Sequence, residues 1–172
     1  MFIDFDIEVN TKEELDKYLV EKKIELPSYR PAVIALILDK DGNILLQRRG
    51  PKSRDEFGML EDIGGAVEES DVTFRDAMGR EIIEEASNEM NFTINKLIGG
   101  CLINKFNPRV GEDVNWLFLL YECSYIDGEI RCNEEGKALG YEWYKYDEFP
   151  KEEIASSTLS FWEYYYNKKE TC

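Results

Sequence analysis

Residues 32–38, Ala-Val-Ile-Ala-Leu-Ile-Leu, form an almost unbroken apolar run. A strand with one wet face alternates apolar and polar residues, whereas a run without polar positions has no side to offer water. It is too short to cross a bilayer, which takes about 20 residues. The run therefore predicts a central strand buried on both faces, and the chain must supply helices to cover them.

The flanking pattern supplies those parts. Residues 2–9 alternate, with Phe2, Ile3, Phe5, Ile7 and Val9 against Asp4, Asp6 and Glu8, and predict a strand. Thr11 and Glu14 mark a helix start running to about Lys22, and Pro27 and Pro31 punctuate a linker. Asp41-Gly42 predicts a turn that brings Ile44–Arg49 back as a partner strand. A short strand from Met59 to Glu68, broken at Gly64-Gly65, precedes a helix from residue 74 to about 89 capped by Thr73 and Asp76. Strands over about 92–106, 114–123 and 141–146 and a final helix over 157–168 complete the chain, with 127–137 as an acidic loop. The predicted order is β-α-β-β-β-α-β-β-β-α, an α/β class mixed sheet packed between helices, that is, an α/β/α sandwich.

Composition narrows the chemistry. The 172 residues contain 36 acids, 21 bases and no histidine, for a formal charge of −15. Such a surface repels nucleic-acid polymers, and any phosphate site needs local arginines or bound metal to reverse the sign. Without histidine there is no Ser-His-Asp triad, no Cys-His pair and no histidine base. Cys101, Cys123, Cys132 and Cys172 form no CxxC pair, which favours free thiols in a reducing cytoplasm. No apolar run of about 18 residues and no secretory leader is expected, so neither is a membrane partner.

Chemistry concentrates on one helix. Arg80-Glu81-Ile82-Ile83-Glu84-Glu85 places carboxylates at i, i+3 and i+4, within an arc of roughly 100°. Gly79, Ile82, Ile83, Ala86 and Met90 are left to cover the other side. Three such carboxylates repel one another unless a divalent cation, most simply the hard ion Mg2+, sits among them. On spacing alone, a plain acidic face bridged by Arg80 or Arg75 accounts for them at least as well.

The setting of these residues changes that balance. Gly64-Gly65-Ala66-Val67-Glu68-Glu69-Ser70-Asp71, followed after eight residues by Arg80–Glu85, resembles the Nudix box. Gly65 matches its first glycine and Arg80–Glu85 its central run. Asp71 stands where glutamate is usual, with one extra residue before Arg80; Ser87 and Asn88 replace a glycine and an aliphatic residue, and Ile63 a proline. Leu45-Leu46-Gln47-Arg48-Arg49 and Glu142-Trp143 with Asp147-Glu148 are similar to further family segments. The resemblance covers residues 32 to about 168, so that residues 1–30 read as a strand–helix extension and 31–172 as a Nudix-like hydrolase domain of MutT type.

The resemblance implies the following roles. Glu81, Glu84 and Glu85 hold Mg2+, with Mn2+ as an expected substitute and the Gly65 carbonyl as a further ligand, while Arg80 braces the cluster. The base is Glu84 or Glu85, or else Glu134 or Glu135 in a later loop, which a solvated charge run explains at least as well. Arg48 or Arg49 contacts phosphate, with Lys52 and Arg54 as weaker candidates, and Asn115 reads a base edge. Phe57, Phe106, Phe118, Tyr141 and Trp143 are candidate walls for an apolar base slot. The implied activity is hydrolysis of a diphosphate linkage in a nucleoside triphosphate or related small phosphorylated nucleotide. ADP-ribose, dinucleoside polyphosphates and nucleotide sugars are alternatives, as is a binding module without turnover. A homodimer is also among the expectations.

Overall fold

In the computed structural model, which describes residues 1–53, 56–108 and 110–171, the apolar run becomes strand β2. The strands are β1 (Phe2–Ile3), β2 (Arg30–Leu38), β3 (Ile44–Arg49), β4 (Leu60–Glu61), β5 (Ile63–Ala66), β6 (Met90–Asn107), β7 (Glu112–Gly128) and β8 (Ala138–Tyr144). The helices are α1 (Lys12–Glu21), α2 (Phe74–Ala86) and α3 (Ser156–Glu170). The sheet runs β1-β6-β7-β2-β3-β4, with β5 paired to β2 and β8 to β3.

Strand β2 lies parallel to β7 along its whole length, from Arg30 opposite Trp116 to Leu38 opposite Ser124. Its other edge is shared, with Ala32–Ala35 pairing antiparallel to β5 and Leu38 meeting Ile44 of β3. Because side chains alternate along a strand, Val33, Ala35 and Ile37 enter a core with α1 and α2, while Ile34 and Leu36 enter a second core with Phe161, Trp162 and Tyr165 of α3. This is the two-sided burial that the run demands, and it makes the molecule an α/β sandwich.

Several local outcomes differ from the sequence pattern. Only Phe2–Ile3 of the alternating N-terminal stretch pairs as strand, against Cys101 and Gly100. Beyond it the aspartates are taken up by other elements, with Tyr18 of α1 and Lys22 at its C-terminal cap donating to Asp6 at 2.9 and 2.6 Å and Lys168 to Asp4 at 2.9 Å. Ile3, Val9, Leu15 and Leu19 nevertheless pack into the same core as β2. The glycine pair does not interrupt a strand but forms part of β5, Gly64 opposite Ile34 and Gly65 opposite Val33. On α2, Ala77, Met78, Ile82 and Ala86 are buried, whereas Ile83 is exposed; its carbonyl accepts the Asn133 side-chain amide at 2.8 Å. Of the loop candidates, Arg54 lies outside the described residues, as do Arg109 and Cys172. Among the described residues, no helix is long and apolar enough to cross a membrane.

Both ends of α2 are locally determined. Thr73 accepts the Asp76 N–H, and the Asp76 carboxylate accepts the Thr73 N–H, closing a capping box. At the other end Ser87 is fully buried with φ +120°, which stops the helix at Ala86 rather than near residue 89. A non-glycine residue held there is strained by about 1–3 kcal/mol. The Ser87 hydroxyl offsets part of this by accepting the Glu89 N–H at 2.9 Å, worth about 1 kcal/mol. Ser87→Gly is therefore expected to raise stability by about 1 kcal/mol in urea denaturation. A variant no more stable than the parent would show that the strain is relieved elsewhere.

Candidate active site

The site is assembled where β5 passes under α2. The Gly64 N–H donates to Glu85 Oε2 at 3.1 Å, and Gln47 Nε2 on β3 donates to the same oxygen at 3.0 Å. A side chain on Gly65 would place Cβ about 2.5–2.6 Å from the Glu81 carboxyl group, so only glycine lets that carboxylate lie on the strand. Tyr141 of β8 donates to the Glu85 carbonyl, tying this turn of α2 to the sheet.

Arg80 is the hub of the acidic face. Its guanidinium binds Asp71 through Nε at 3.0 Å and Nη2 at 2.8 Å, the Ala66 carbonyl at 3.0 Å, Glu81 at 2.8 Å and Glu84 at 3.3 Å. Asp71 thus has a structural role, clamping the arginine in a two-point fork. Those hydrogen bonds hold its pKa below the usual carboxylate range. Glu81 is buried, and lost hydration raises its pKa against the lowering effect of Arg80. Desolvation, with the neighbouring Glu61 charge, pushes Glu85 up to about 8, although the Gly64 N–H opposes the shift. Glu84, one turn along, stays exposed to solvent.

Two adjoining cavities open beside these carboxylates. A polar one of about 290 Å3 is lined by Gln47, Arg49, Lys52, Glu61, Glu85 and Lys137, among others. A second, of about 150 Å3, lies between β2, β7 and the start of α3, walled by Ile34, Trp116, Phe118 and Phe161. Arg49, Glu61 and Gly64 line both. Three cations, Arg49, Lys52 and Lys137, and two acids, Glu61 and Glu85, face the first cavity.

The strand register separates the two arginines. Arg49 reaches the cavities and pairs with Glu61. Arg48 turns to Glu142 and Glu153, each at 2.9 Å, and to the Gly58 carbonyl. Asn115 lies outside both cavities; its amide donates to the Ser28 carbonyl at 3.0 Å and its oxygen accepts from Asn104 at 2.9 Å. Phe106 and Phe118 line the smaller cavity, while Phe57 is exposed and Tyr141 and Trp143 pack on the α2 side. Glu134 pairs with Lys137, and Glu135 faces solvent. Gln47, Lys137, Glu61, Asp62, Trp116 and Phe161 join the site without prominence in the sequence. Gln47 and Arg49 share a strand parity, and Lys137 is the basic residue ending an acidic loop, which are the signals that single them out.

As they stand, no three acidic side chains among the described residues form a closed cation cage, because Glu81 and Glu84 both turn to Arg80. The donors nevertheless suit a hard divalent ion. They are carboxylate oxygens, two of them lack enough compensating positive charge to keep ordinary pKa values, and Gly65 leaves room at Glu81.

A family model described as the NUDIX domain matches residues 28–163. The chain belongs to the Nudix family. Among solved structures, it is similar to a MutT Nudix hydrolase from Burkholderia pseudomallei at 25% identity, covering 80% of this chain and 98% of that one with a TM-score of 0.60. A MutT protein from Methanosarcina mazei Go1 aligns at 18% identity over 84% and 99% of the two chains, TM-score 0.62. The Nudix domain of Shewanella oneidensis NrtR, solved with ADP ribose, aligns at 14% identity over 92% and 98%, TM-score 0.60. No curated protein matches the chain in sequence. The protein is a Nudix pyrophosphohydrolase, acting on a diphosphate-linked substrate.

The Nudix glycines should separate in mutagenesis. Alanine at Gly64 would meet the Val33 carbonyl oxygen at 2.2 Å, a backbone atom that cannot swing away, and is expected to cost about 3 kcal/mol in urea denaturation. Alanine at Gly65 meets only the end of the flexible Glu81 side chain. It should change stability by less than about 1 kcal/mol while lowering turnover at least about tenfold; full activity would show that the Glu81 position is not used.

Asp62, between β4 and β5, is buried 4% exposed, and loss of hydration raises its pKa well above the ordinary range despite the Trp162 hydrogen bond. An acid raised in the folded state stabilises fully below its unfolded pKa of about 3.9 and loses that contribution as pH climbs towards the folded value. Relative to Asp62→Asn, the wild type should therefore lose stability as pH rises from about 4 towards neutrality, by at most about 1.4 kcal/mol per unit. Urea denaturation at several pH values reads the difference, and a constant gap would refute the buried neutral acid.

Proposed function

We propose that this Nudix protein hydrolyses the diphosphate linkage of a small nucleotide with Mg2+, or Mn2+ in its place, held by Glu81, Glu84, Glu85 and the Gly65 carbonyl. The observation that carries this reading is the meeting of opposite charges at Gly64. The α2 carboxylates Glu81 and Glu85 lie against the glycine pair, and Glu85 lines the same polar cavity as Arg49, Lys52 and Lys137. When bound, a divalent cation neutralises phosphate charge and lowers the pKa of water.

The chain's own groups account for the remainder. Arg49, Lys52 and Lys137 orient the phosphates by charge-assisted hydrogen bonds. Arg80, anchored by Asp71, bridges Glu81 and Glu84 and offsets the repulsion between these α2 carboxylates. Glu85 is the base: Oε2 is held by Gly64 and Gln47, leaving Oε1 to take a proton from water as the water oxygen bonds to phosphorus and the bridging P–O bond breaks. Burial raises its pKa to about 8, so Glu85 would be free to take the proton near neutrality with positive charge held beside it. Glu134 is less suited because Lys137 already pairs with it.

The smaller cavity receives the group attached to the diphosphate, its aromatic walls serving as stacking surface. Residues 31–172 constitute the hydrolase domain in this reading, with 1–30 as its elaboration. The buried free thiols of Cys101 and Cys123 favour a reducing cytoplasm.

The test is a product-identified panel of nucleoside triphosphates, ADP-ribose, dinucleoside polyphosphates and nucleotide sugars. Cleavage should require Mg2+ or Mn2+, stop with chelator, and fall by about 10²-fold or more in Glu85→Gln. Full activity of Glu85→Gln would reassign the base. No turnover of any member, with binding intact, would favour a module that recognises nucleotide without cutting it.

A further inference from the structure

Two lysines far apart in sequence reach the polar cavity through a single backbone contact. The last pair of the β3–β8 ladder is Arg49 opposite Ala138, and the loops beyond it stay together. The Gly50 N–H donates to the Lys137 carbonyl at 2.6 Å, and the Lys52 N–H to the Gly136 carbonyl at 2.9 Å. The Ser53 hydroxyl donates to the Lys137 carbonyl at 3.1 Å. Glycine is required on both sides. A Cβ at Gly50 would lie 2.3 Å from the Gly136 carbonyl oxygen, a backbone atom, so any side chain there parts the loops. Gly136 holds φ +82°, and the stem of Lys52 lies over it, with Cγ and Cδ 3.1 Å from where a Cβ would stand.

The walls of the polar cavity say what it suits. Among the described residues they are Gly64 and polar or charged side chains throughout, with none of the aromatic surface of the smaller cavity. A second base would find nothing there to stack on. The two acids of the wall have partners of their own, Glu61 with Arg49 and Glu85 with the Gly64 N–H and Gln47. Lys52 and Lys137 line the cavity as point charges with three donors each. Lys137 is paired with Glu134 in a partly exposed ion pair, which is weak enough for a phosphate to compete with. A phosphate at the end of a chain carries about −1.5 to −2 near neutrality and offers three acceptor oxygens. One esterified on both sides carries a single charge.

We propose that Gly50 and Gly136 are positioning residues that set Lys52 and Lys137 as a clamp on a free terminal phosphate. The preferred substrate then ends in phosphate rather than in a sugar or a second nucleoside. This rests on the reading that the polar cavity holds the phosphates and the smaller one the group attached to them. The shared wall of Arg49, Glu61 and Gly64 joins the two cavities, so a nucleoside in the smaller one directs its phosphate chain towards the lysines.

The experiment compares pairs that share a nucleoside, ATP with ADP-ribose and UTP with UDP-glucose. Values of kcat and KM are measured with Mg2+, and equilibrium binding to Glu85→Gln protein is followed by tryptophan fluorescence. Wild type should favour the triphosphate of each pair by about tenfold or more in kcat/KM, the size of one charge-assisted hydrogen bond. Lys137→Gln and Gly50→Ala should each bring the ratio to within about threefold of unity through the KM of the triphosphate. Lys137→Arg, which keeps the charge, should retain the preference. A loss of packing alone would not act on one member of a pair and spare the other. Equal kcat/KM in wild type, or an undiminished preference in folded Lys137→Gln or Gly50→Ala, would overturn the proposal; the wild-type comparison needs no variant to fold. Preference in binding without turnover would sink the hydrolytic reading alone, turnover without preference would sink this one alone, and neither binding nor turnover would sink both.

Discussion

Gly64 and Gly65 bring the β5 backbone against two neighbours at once, and the remainder of the site depends on that approach. On one side Gly64 lies so close to Val33 that a Cβ would collide with its carbonyl oxygen. On the other, Gly65 lies directly beneath the Glu81 carboxylate, and the Gly64 N–H reaches Glu85. The absence of side chains thus lets one strand both close the sheet against β2 and present backbone to the acidic face of α2. Any larger residue would lift the helix from the strand or turn the carboxylates away.

Charge is organised around the same contact. A chain with 36 acids and 21 bases repels phosphate over most of its surface. At the site a few cations stand at close range: Arg80 among the α2 carboxylates, and Arg49, Lys52 and Lys137 around the adjoining cavity. Arg80 keeps the acids tolerable to one another, while Asp71 holds Arg80 at two points. The helix itself starts from the Thr73–Asp76 capping box, two residues beyond Asp71.

Much of this was legible beforehand. The run at 32–38 demanded a strand covered on both faces, and alternation along it sends Val33, Ala35 and Ile37 to one core and Ile34 and Leu36 to the other. The Asp41-Gly42 turn, the Thr73 cap and the carboxylate spacing on α2 are local matters, decided by residues a few positions apart. The Nudix pattern extended that reading to the glycine pair, whose value lies in what approaches it rather than in its own conformation.

Other features depended on partners distant in sequence. Phe2–Val9 has the periodicity of a full strand, yet Asp4 and Asp6 are claimed by α3 and α1 and only two residues pair. Arg48 and Arg49 are equivalent as letters, but strand parity and the bulge between them send one to Glu142 and Glu153 and the other to the cavity. Asp62 reads as one more acid in an acidic chain until Trp162, a hundred positions away, is seen to bind one of its oxygens and leave the other bare. The sequence alone thus determined the sandwich and the carboxylates beneath the glycine pair, because periodicity and helical spacing act within a few residues. Only the tertiary structure decided which charges line the polar cavity and which carboxyl groups are buried, because burial and pairing are properties of what the whole chain brings together.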